Sequence, residues 1–228
     1  MKVSVVIPVY NEEKYIKNCL DSLMKQDEKP DEIIVIDNNC TDKTIEIVKK
    51  NKNIKIIKEI IQGMTAARNA GFNQAKYEII VKCDADSVLP PDWIKNIKND
   101  FSRDPSIVAI SMPIKFNDIC FILDNTIPFY IYLFIPRLMT GFYYLIGPGY
   151  AIKKNVWNKI KNEVCLNDKE VHEDIDISFH LKKHGKIFHD RKNAISSSAR
   201  RMINNPFSFF GEYIYRFFKM YWNHRHLI

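Results

Sequence analysis

The first 112 residues alternate between short apolar runs and amphipathic stretches. Five short runs rich in Val and Ile predict buried strands: Val3–Val9, Glu32–Asp37, Ile54–Ile61, Glu78–Cys83 and Ile107–Met112. Four intervening stretches repeat apolar residues at helical spacing and predict helices: Glu12–Gln26, Asp42–Asn51, Thr65–Ala75 and Asp92–Phe101. This alternation predicts an α/β fold with a mostly parallel central sheet and helices on both of its faces.

The pattern changes after residue 113. Residues 114–150 are dense in Phe, Tyr, Ile and Leu, Glu173–Lys183 has the spacing of a helix, and residues 207–228 are aromatic and basic. The chain has no internal repeat and no Gly/Ser-rich linker. We therefore expect one domain over residues 1–203, with two halves at 1–112 and 113–203, followed by an amphipathic helix over 204–228.

The composition narrows the classes of partner. The 228 residues include 34 Lys and Arg against 27 Asp and Glu, which gives a net charge of +7. A basic chain favours a nucleic acid, a membrane surface or a phosphate-bearing substrate. The lysines are scattered along all the predicted helices without a recognition element, so we expect no nucleic-acid binding. Widely spaced cysteines without a C-x-x-C pair indicate a cytoplasmic protein, and no stretch reaches the roughly 18 apolar residues of a membrane span.

Polar side chains follow three of the predicted strands. Tyr10 and Glu12 lie just after the first strand, Asp37 closes the second, and Asp84 and Asp86 follow the fourth. The carboxyl ends of parallel strands share one edge of the sheet, which is where ligands of such folds bind. Asp84 and Asp86 suit Mg²⁺ or Mn²⁺, and such a cation neutralises the charge of a departing diphosphate. The alternative for this pair is a solvated turn.

Three further sets of residues each admit a functional and a structural role. Arg68 lies at the start of a helix of small residues, where it can contact phosphate or a base, or remain solvated. Glu173 and Asp174 begin another helix, where one can act as a general base or both can complement the helix dipole. Arg200 and Arg201 follow three serines and suit a pyrophosphate, or form a basic surface loop.

Asp37 and the pair of histidines at 180 and 184 also admit both a functional and a structural role. Asp37 can accept hydrogen bonds from a nucleobase or a ribose, or can cap the turn that follows its strand. His180 and His184 lie one helical turn apart and can bind a metal ion, although the sequence places no third ligand near them. A zinc protease of the H-E-x-x-H type is excluded because Asp176 stands four residues after His172.

Five motifs together carry a family resemblance. They are Pro-Val-Tyr-Asn-Glu-Glu at 8–13, the aspartate at 37, Ala-Ala-Arg-Asn-x-Gly at 66–71, Asp-Ala-Asp at 84–86 and Glu-Asp at 173–174. Each motif is weak alone, and the five in this order are specific. Over residues 3 to 201 the chain resembles the family 2 glycosyltransferases of the GT-A fold. The resemblance implies inverting transfer of a sugar from a nucleotide-sugar, with a divalent cation, Mn²⁺ or Mg²⁺, on the D-x-D motif.

The resemblance also implies roles for individual residues. In the half that spans 1–112 it assigns the nucleotide-sugar to seven residues: Pro8, Tyr10, Glu12, Asp37, Arg68, Asp84 and Ala85. It assigns the metal to Asp84 and Asp86. In the half that spans 113–203 it assigns the catalytic base to Asp174. It assigns contacts with the acceptor or a phosphate to four residues: Glu173, Gly149, Arg200 and Arg201.

One motif departs from the family pattern. Asp37 is followed by Asn38 and Asn39 where the family commonly has Asp-Asp-Gly-Ser, so an amide replaces the second carboxylate. The implied mechanism is a single in-line displacement in which Asp174 takes the acceptor proton and no carboxylate acts as a nucleophile. On family grounds we expect a UDP-sugar as the donor, with GDP-mannose as the alternative.

Two rival functions remain open. A nucleotidyltransferase can also combine a parallel sheet with paired aspartates, although Pro8–Glu13 lacks the Gly-rich, basic first loop of such enzymes. A non-catalytic nucleotide-sugar-binding protein is the second. A dinucleotide oxidoreductase is disfavoured because no G-x-G-x-x-G follows the first strand.

The C-terminal residues predict one helical stripe, formed by Phe207, Phe210, Ile214, Phe217 and Tyr221. Pro206 suits the first helical position, and Arg216 and Lys219 flank the stripe. An aromatic stripe edged by basic residues is typical of a helix in a membrane interface, and packing on the core is the alternative. We expect peripheral contact with an anionic membrane surface, at the cytoplasmic inner face of the cell membrane, and a lipid-linked acceptor. The oligomeric state stays open.

Overall fold

A computed structural model describes residues 1–116, 126–168, 171–198, 200 and 206–224. Within them the strands are β1 (Val3–Val9), β2 (Glu32–Asp37), β3 (Ile54–Lys58), β4 (Ile79–Cys83), β5 (Ile107–Ser111), β6 (Ile114–Phe116), β7 (Gly149–Lys153), β8 (Lys186–His189) and β9 (Ile195–Ser197). The helices are α1 (Ile16–Met24), α2 (Thr44–Lys49), α3 (Met64–Gln74), α4 (Trp93–Arg103), α5 (Ile127–Thr140), α6 (Lys154–Ile160), α7 (Glu173–Lys182) and α8 (Pro206–His224).

Seven strands form one sheet in the order β3-β2-β1-β4-β7-β5-β8. β1 pairs in parallel with β2 and β4, β2 pairs in parallel with β3, and β5 pairs in parallel with β8. β7 is antiparallel to both of its neighbours, β4 and β5. β6 and β9 pair in a separate two-stranded sheet. The predicted α/β class and the mostly parallel sheet are confirmed.

Several predicted elements are shorter in the structure, including α1 and β3. α1 begins at Ile16 rather than at Glu12, because residues 13–15 form a turn in which the Tyr15 N–H donates to the Glu12 carbonyl (3.0 Å). β3 ends three residues before the predicted boundary at Ile61. The Ile61 carbonyl instead accepts a hydrogen bond from the Asn38 side-chain amide (2.7 Å). The segment after β3 therefore contacts the loop after β2.

Apolar side chains form a buried cluster on each face of the sheet. Successive residues of a strand point to opposite faces, and β1 shows this directly. Val5 and Ile7 pack with Leu20 of α1 in one cluster, whereas Val6 packs with Phe72 of α3 in the other. Both faces of the sheet are therefore covered by helices, as predicted.

α8 packs on the domain through part of the predicted stripe. Phe217 is buried in the core and Tyr221 packs against that core, so this part of the stripe takes the alternative that the sequence left open. Tyr215, Phe218 and Trp222 form a different row of aromatic side chains that is exposed. Among the described residues, no helix combines the length and the apolar character needed to cross a bilayer. The predicted boundary between residues 203 and 204 lies outside the described residues.

Candidate active site

A cavity of about 320 Å³ opens at the carboxyl ends of β1, β2 and β4. Seven residues predicted for the site line it: Pro8, Tyr10, Glu12, Asp84, Ala85, Asp86 and Arg200. Six further residues, none of them assigned an individual role from the sequence, also line it: Val9, Asn38, Gln62, Gly63, Met64 and Ala67. β1 pairs in parallel with both β2 and β4, which brings the loops after three strands to one edge of the sheet.

Arg200 lies between two carboxylates at the cavity. Its guanidinium is 2.5 Å from Glu12 Oε1 and 3.3 Å from Asp86 Oδ2. Burial and, to a smaller extent, the neighbouring Asp84 raise the pKa of Asp86 to about 6, against the lowering effect of Arg200. Crowded carboxylates require positive charge nearby, and Arg200 supplies part of it.

The carboxylates at the cavity fit a hard divalent cation. Asp84 and Asp86 offer only oxygen ligands, which Mg²⁺ and Mn²⁺ prefer over nitrogen and sulfur. Glu12 Oε2 is a further buried carboxylate oxygen there, and it has no hydrogen-bond partner among the described residues. The donor set therefore agrees with the cation predicted for the D-x-D motif.

A buried lysine joins the two halves of the site. Lys82 lies in β4 and is only 1% exposed. Its ammonium group is 2.9 Å from Asp84 Oδ1, 3.9 Å from Asp174 Oδ1 and 4.0 Å from Glu173 Oε1, and it donates a hydrogen bond to the Gly147 carbonyl (3.2 Å). Burial alone would lower the pKa of Lys82, but the carboxylates, Asp174 foremost, raise it well above its ordinary value. Lys82 was not among the residues predicted for the site, although a charged residue inside the apolar run of β4 is a signal of a specific role.

Glu173 and Asp174 begin α7 and differ in environment. Asp174 is 2% exposed, its Oδ2 accepts the Gly147 N–H (3.0 Å), and its Oδ1 has no hydrogen bond to the described residues. Burial, followed by the charge of Glu173, raises the pKa of Asp174 to about 7. Burial also opposes ionisation of Glu173, but His172, Lys82 and Arg68 outweigh it and lower the pKa of Glu173. The adjacent carboxyl groups therefore favour different protonation states.

Arg68 and Asp37 lie beside the cavity and do not line it. Arg68 is fully buried in α3, where it donates hydrogen bonds to Asn69 Oδ1 (2.9 and 3.0 Å) and to the Glu173 carbonyl (2.9 Å). The bond to the Glu173 carbonyl links α3 to the first residue of α7. Asp37 Oδ1 accepts the Cys40 N–H (2.9 Å), which is the turn-capping role that the sequence left open.

Of Gly149 and Arg201, both predicted for the acceptor side, only Gly149 lies among the described residues. Gly149 begins β7 and is buried, and an added Cβ there would lie 2.3 Å from Ile195 Cδ1 and 3.3 Å from the Lys82 carbonyl oxygen. The absence of a side chain at Gly149 therefore permits close packing beside β4. Arg201 lies outside the described residues.

A sequence model described as glycosyl transferase family 2 matches residues 4–159. Glycosyltransferase GlyA of Streptococcus pneumoniae serotype 4 is 31% identical over 121 residues, which cover 51% of this chain and 17% of GlyA. The match covers 38% of the putative glycosyltransferase EpsH of Bacillus subtilis and 12% of the chondroitin synthase of Pasteurella multocida. The chain thus spans well under half of the length of the curated proteins that it matches.

Two solved structures have the same fold. Residues 1–349 of Staphylococcus aureus TarS in complex with UDP-GlcNAc superpose with a TM-score of 0.68 at 22% identity, covering 87% of this chain and 58% of that one. The mannosyltransferase PcManGT from Pyrobaculum calidifontis, in complex with GDP-Man and Mn²⁺, gives a TM-score of 0.68 at 21% identity, covering 87% of this chain and 57% of that one. These likenesses establish the GT-A fold that the sequence predicts.

Replacing Lys82 tests whether its charge assembles the site. We expect Lys82→Met to lower the free energy of unfolding by about 3–5 kcal/mol at pH 8, because it leaves buried carboxylates without a counter-charge. Lys55→Met, at an exposed position of β3, is the matched control and should change it by less than about 0.5 kcal/mol. Adding Asp174→Asn to Lys82→Met should restore part of the loss. Urea unfolding measures all three, and equal stability of Lys82→Met and Lys55→Met would contradict the assignment.

Proposed function

Because the chain belongs to glycosyl transferase family 2, we propose that it moves a sugar from a nucleoside-diphosphate sugar to a hydroxyl or phosphate group of an acceptor. The observation that carries this proposal is the cavity at the strand ends, which Tyr10, Glu12, Asp84, Asp86 and Arg200 line together. An aromatic ring, paired carboxylates and a guanidinium match the base, the cation and the diphosphate of such a donor.

The donor in this proposal is a UDP-sugar, with GDP-mannose second. The solved relatives support both options, because TarS is complexed with UDP-GlcNAc and PcManGT with GDP-Man. Tyr10 is 52% exposed at the cavity, so its ring is accessible for stacking on a base.

Asp84 and Asp86 would hold Mn²⁺ or Mg²⁺, which would neutralise the charge of the departing nucleoside diphosphate. Arg200 is accessible from the cavity, since 30% of its side chain is exposed, and its paired N–H groups suit phosphate oxygens. Lys82 is 2% exposed at its side chain and holds Asp84 in place from within the sheet. In this proposal the accessible Arg200 contacts the diphosphate, and the buried Lys82 positions the carboxylates.

Titration calorimetry of UDP, GDP and dTDP, each with and without Mn²⁺, tests donor binding. We expect one nucleotide to bind only when Mn²⁺ is present, and Asp86→Ala to abolish that binding because it removes a cation ligand. Asp92→Asn, at an exposed aspartate near the start of α4, is the control and should bind as the unaltered protein does. Binding that is indifferent to both Mn²⁺ and Asp86→Ala would contradict the proposed site.

Asp174 is the base in this proposal. Its raised pKa, about 7, is close to the value at which a general base works best near neutral pH. The Gly147 N–H orients the carboxyl group through Oδ2, and Oδ1, which is buried and has no hydrogen bond to the described residues, would accept the proton of an acceptor hydroxyl. As the acceptor oxygen bonds to the anomeric carbon, the bond to the diphosphate breaks and its electron pair leaves with the diphosphate. A single displacement of this kind inverts the anomeric carbon.

The adjacent carboxyl groups of Asp174 and Glu173 provide a matched pair of variants. We expect Asp174→Asn to lower the transfer rate by roughly 10²–10⁴-fold, because the proton loses its acceptor, while nucleotide binding persists. Glu173→Gln should lower the transfer rate by a smaller factor, since it leaves the base intact. The measurement is release of nucleoside diphosphate from the donor in the presence of the organism's own membrane lipids. A larger loss in Glu173→Gln than in Asp174→Asn would reverse the assignment.

We further propose a lipid-linked acceptor and a peripheral position at the cytoplasmic face of the cell membrane. Tyr215, Phe218 and Trp222 support this, because they are 50–66% exposed on one side of α8. Phe134 and Leu138 of α5 are also exposed, at 66% and 74%. Exposed aromatic side chains on a chain of net charge +7 suit the interface of an anionic membrane.

Flotation with vesicles that contain anionic lipid tests the membrane contact. We expect the protein to float with the vesicles and the triple variant Tyr215→Ser, Phe218→Ser, Trp222→Ser to remain in the lower fractions, because it lacks the aromatic anchors. Leu166→Ser removes an apolar residue that is 73% exposed elsewhere on the surface, and it should float as the unaltered protein does. Equal flotation of the triple variant and the Leu166→Ser control would exclude α8 as the contact.

A further inference from the structure

Three metal-ligating side chains converge where α8 meets α7, outside the residues that line the cavity. Asp176 and His180 lie one turn apart on α7, and His224 is the last residue of α8. We propose that Asp176, His180 and His224 bind a transition-metal ion, Zn²⁺ foremost, which fastens α8 to the catalytic domain. This site is separate from the oxygen-ligand site of Asp84 and Asp86.

The distances between the three ligand atoms suit a single ion. Asp176 Oδ1 is 3.3 Å from His224 Nε2 and 3.8 Å from His180 Nε2. All three atoms lie within 4.8 Å of one another. A tetrahedral zinc ion with bonds of about 2.0–2.1 Å separates its ligand atoms by about 3.3 Å, so small rotations of the side chains complete the geometry.

The other polar atom of each ligand already has a partner. Asp176 Oδ2 accepts the Cys165 N–H (2.9 Å), His180 Nδ1 lies 3.2 Å from Glu163 Oε2, and His224 Nδ1 lies 3.0 Å from the Met220 carbonyl. A carboxylate and a carbonyl only accept, so Nδ1 of each histidine carries the proton. Each Nε2 then faces Asp176 Oδ1 and is the ring nitrogen that a metal ion would use. Partners of this kind orient the ligands in natural zinc sites.

Burial makes this arrangement costly without a cation. Asp176 is 1% exposed and His180 is 6% exposed. Asp176 Oδ1 and His180 Nε2 have no hydrogen-bond partner among the described residues. A proton on His224 would satisfy Asp176 but would leave the His180 lone pair unsatisfied. One metal ion satisfies all three atoms, which is why we favour a metal over a simple ion pair.

The ligand types select the metal. Two imidazoles and one carboxylate suit Zn²⁺, whereas Mg²⁺ and Mn²⁺ prefer the oxygen ligands of the cavity.

Asp174 and Asp176 are two residues apart on α7, so their side chains do not face each other. Asp174 contacts Gly147 and Asp176 contacts Cys165. The sequence pairs His180 with His184, but His184 is exposed, and the ligand that joins His180 comes from α8 instead.

The test is titration of the metal-free 228-residue chain with ZnCl₂ by calorimetry, in excess Mg²⁺ and in an Asp86→Ala background that removes a ligand of the cavity site. We expect one equivalent of Zn²⁺ to bind. His180→Ala and His224→Ala should each weaken binding by on the order of 100-fold or more. His184→Ala removes a histidine from the same end of α7 and is the matched control, so it should bind Zn²⁺ with unchanged affinity.

A second readout follows α8 itself. We expect Zn²⁺ to protect α8 from limited proteolysis in the unaltered protein and in His184→Ala, and not in His224→Ala or His224→Gln. No binding of Zn²⁺, or binding that survives both His180→Ala and His224→Ala, would overturn the proposal. Neither readout involves a nucleotide, so failure here is distinguishable from failure of the proposed transferase function.

Discussion

The buried ammonium group of Lys82 is the interaction on which the site depends. This group lies within ion-pair distance of Asp84, in the loop after β4. It lies at the same kind of distance from Glu173 and Asp174, at the start of α7. Without it these carboxylates would repel one another in a region of low dielectric. Lys82 therefore joins two parts of the site that lie 89 residues apart in the sequence, at Asp84 and at Glu173.

Two other cations complete this pattern of charges. Arg68 supports the Glu173 carbonyl from beneath and is fully buried, whereas Arg200 pairs with Glu12 and Asp86 at the cavity and is partly exposed. The buried cations have fixed partners inside the protein. Of these three cations only Arg200 is partly exposed, which is why we propose that Arg200 contacts the diphosphate and that Lys82 and Arg68 position other residues.

The sequence predicts the first half of this fold well, because strand and helix periodicity there is strong. It also predicts that Tyr10, Glu12 and the two aspartates of the D-x-D motif meet, since parallel strands present their carboxyl ends at one edge.

Other features depend on contacts that no local pattern reveals. The antiparallel β7 inserts between β4 and β5 from a segment without clear periodicity. A fully buried run such as β4 does not indicate which face Lys82 takes or what it contacts there. Arg68 is the same kind of case, because its partner in α7 is 105 residues away. His180 groups with Asp176 and with His224, which lies 44 residues further along the chain. Helical spacing in the sequence pairs His180 only with His184.

We propose that the strand-end cavity holds a nucleoside diphosphate and its cation together. A crystal structure with UDP and Mn²⁺, with the metal located by its anomalous scattering, would show whether it does. We predict a manganese peak at Asp84 or Asp86, in contact with the diphosphate inside the cavity. A nucleotide bound elsewhere, or manganese found only at Asp176, His180 and His224, would contradict the claim.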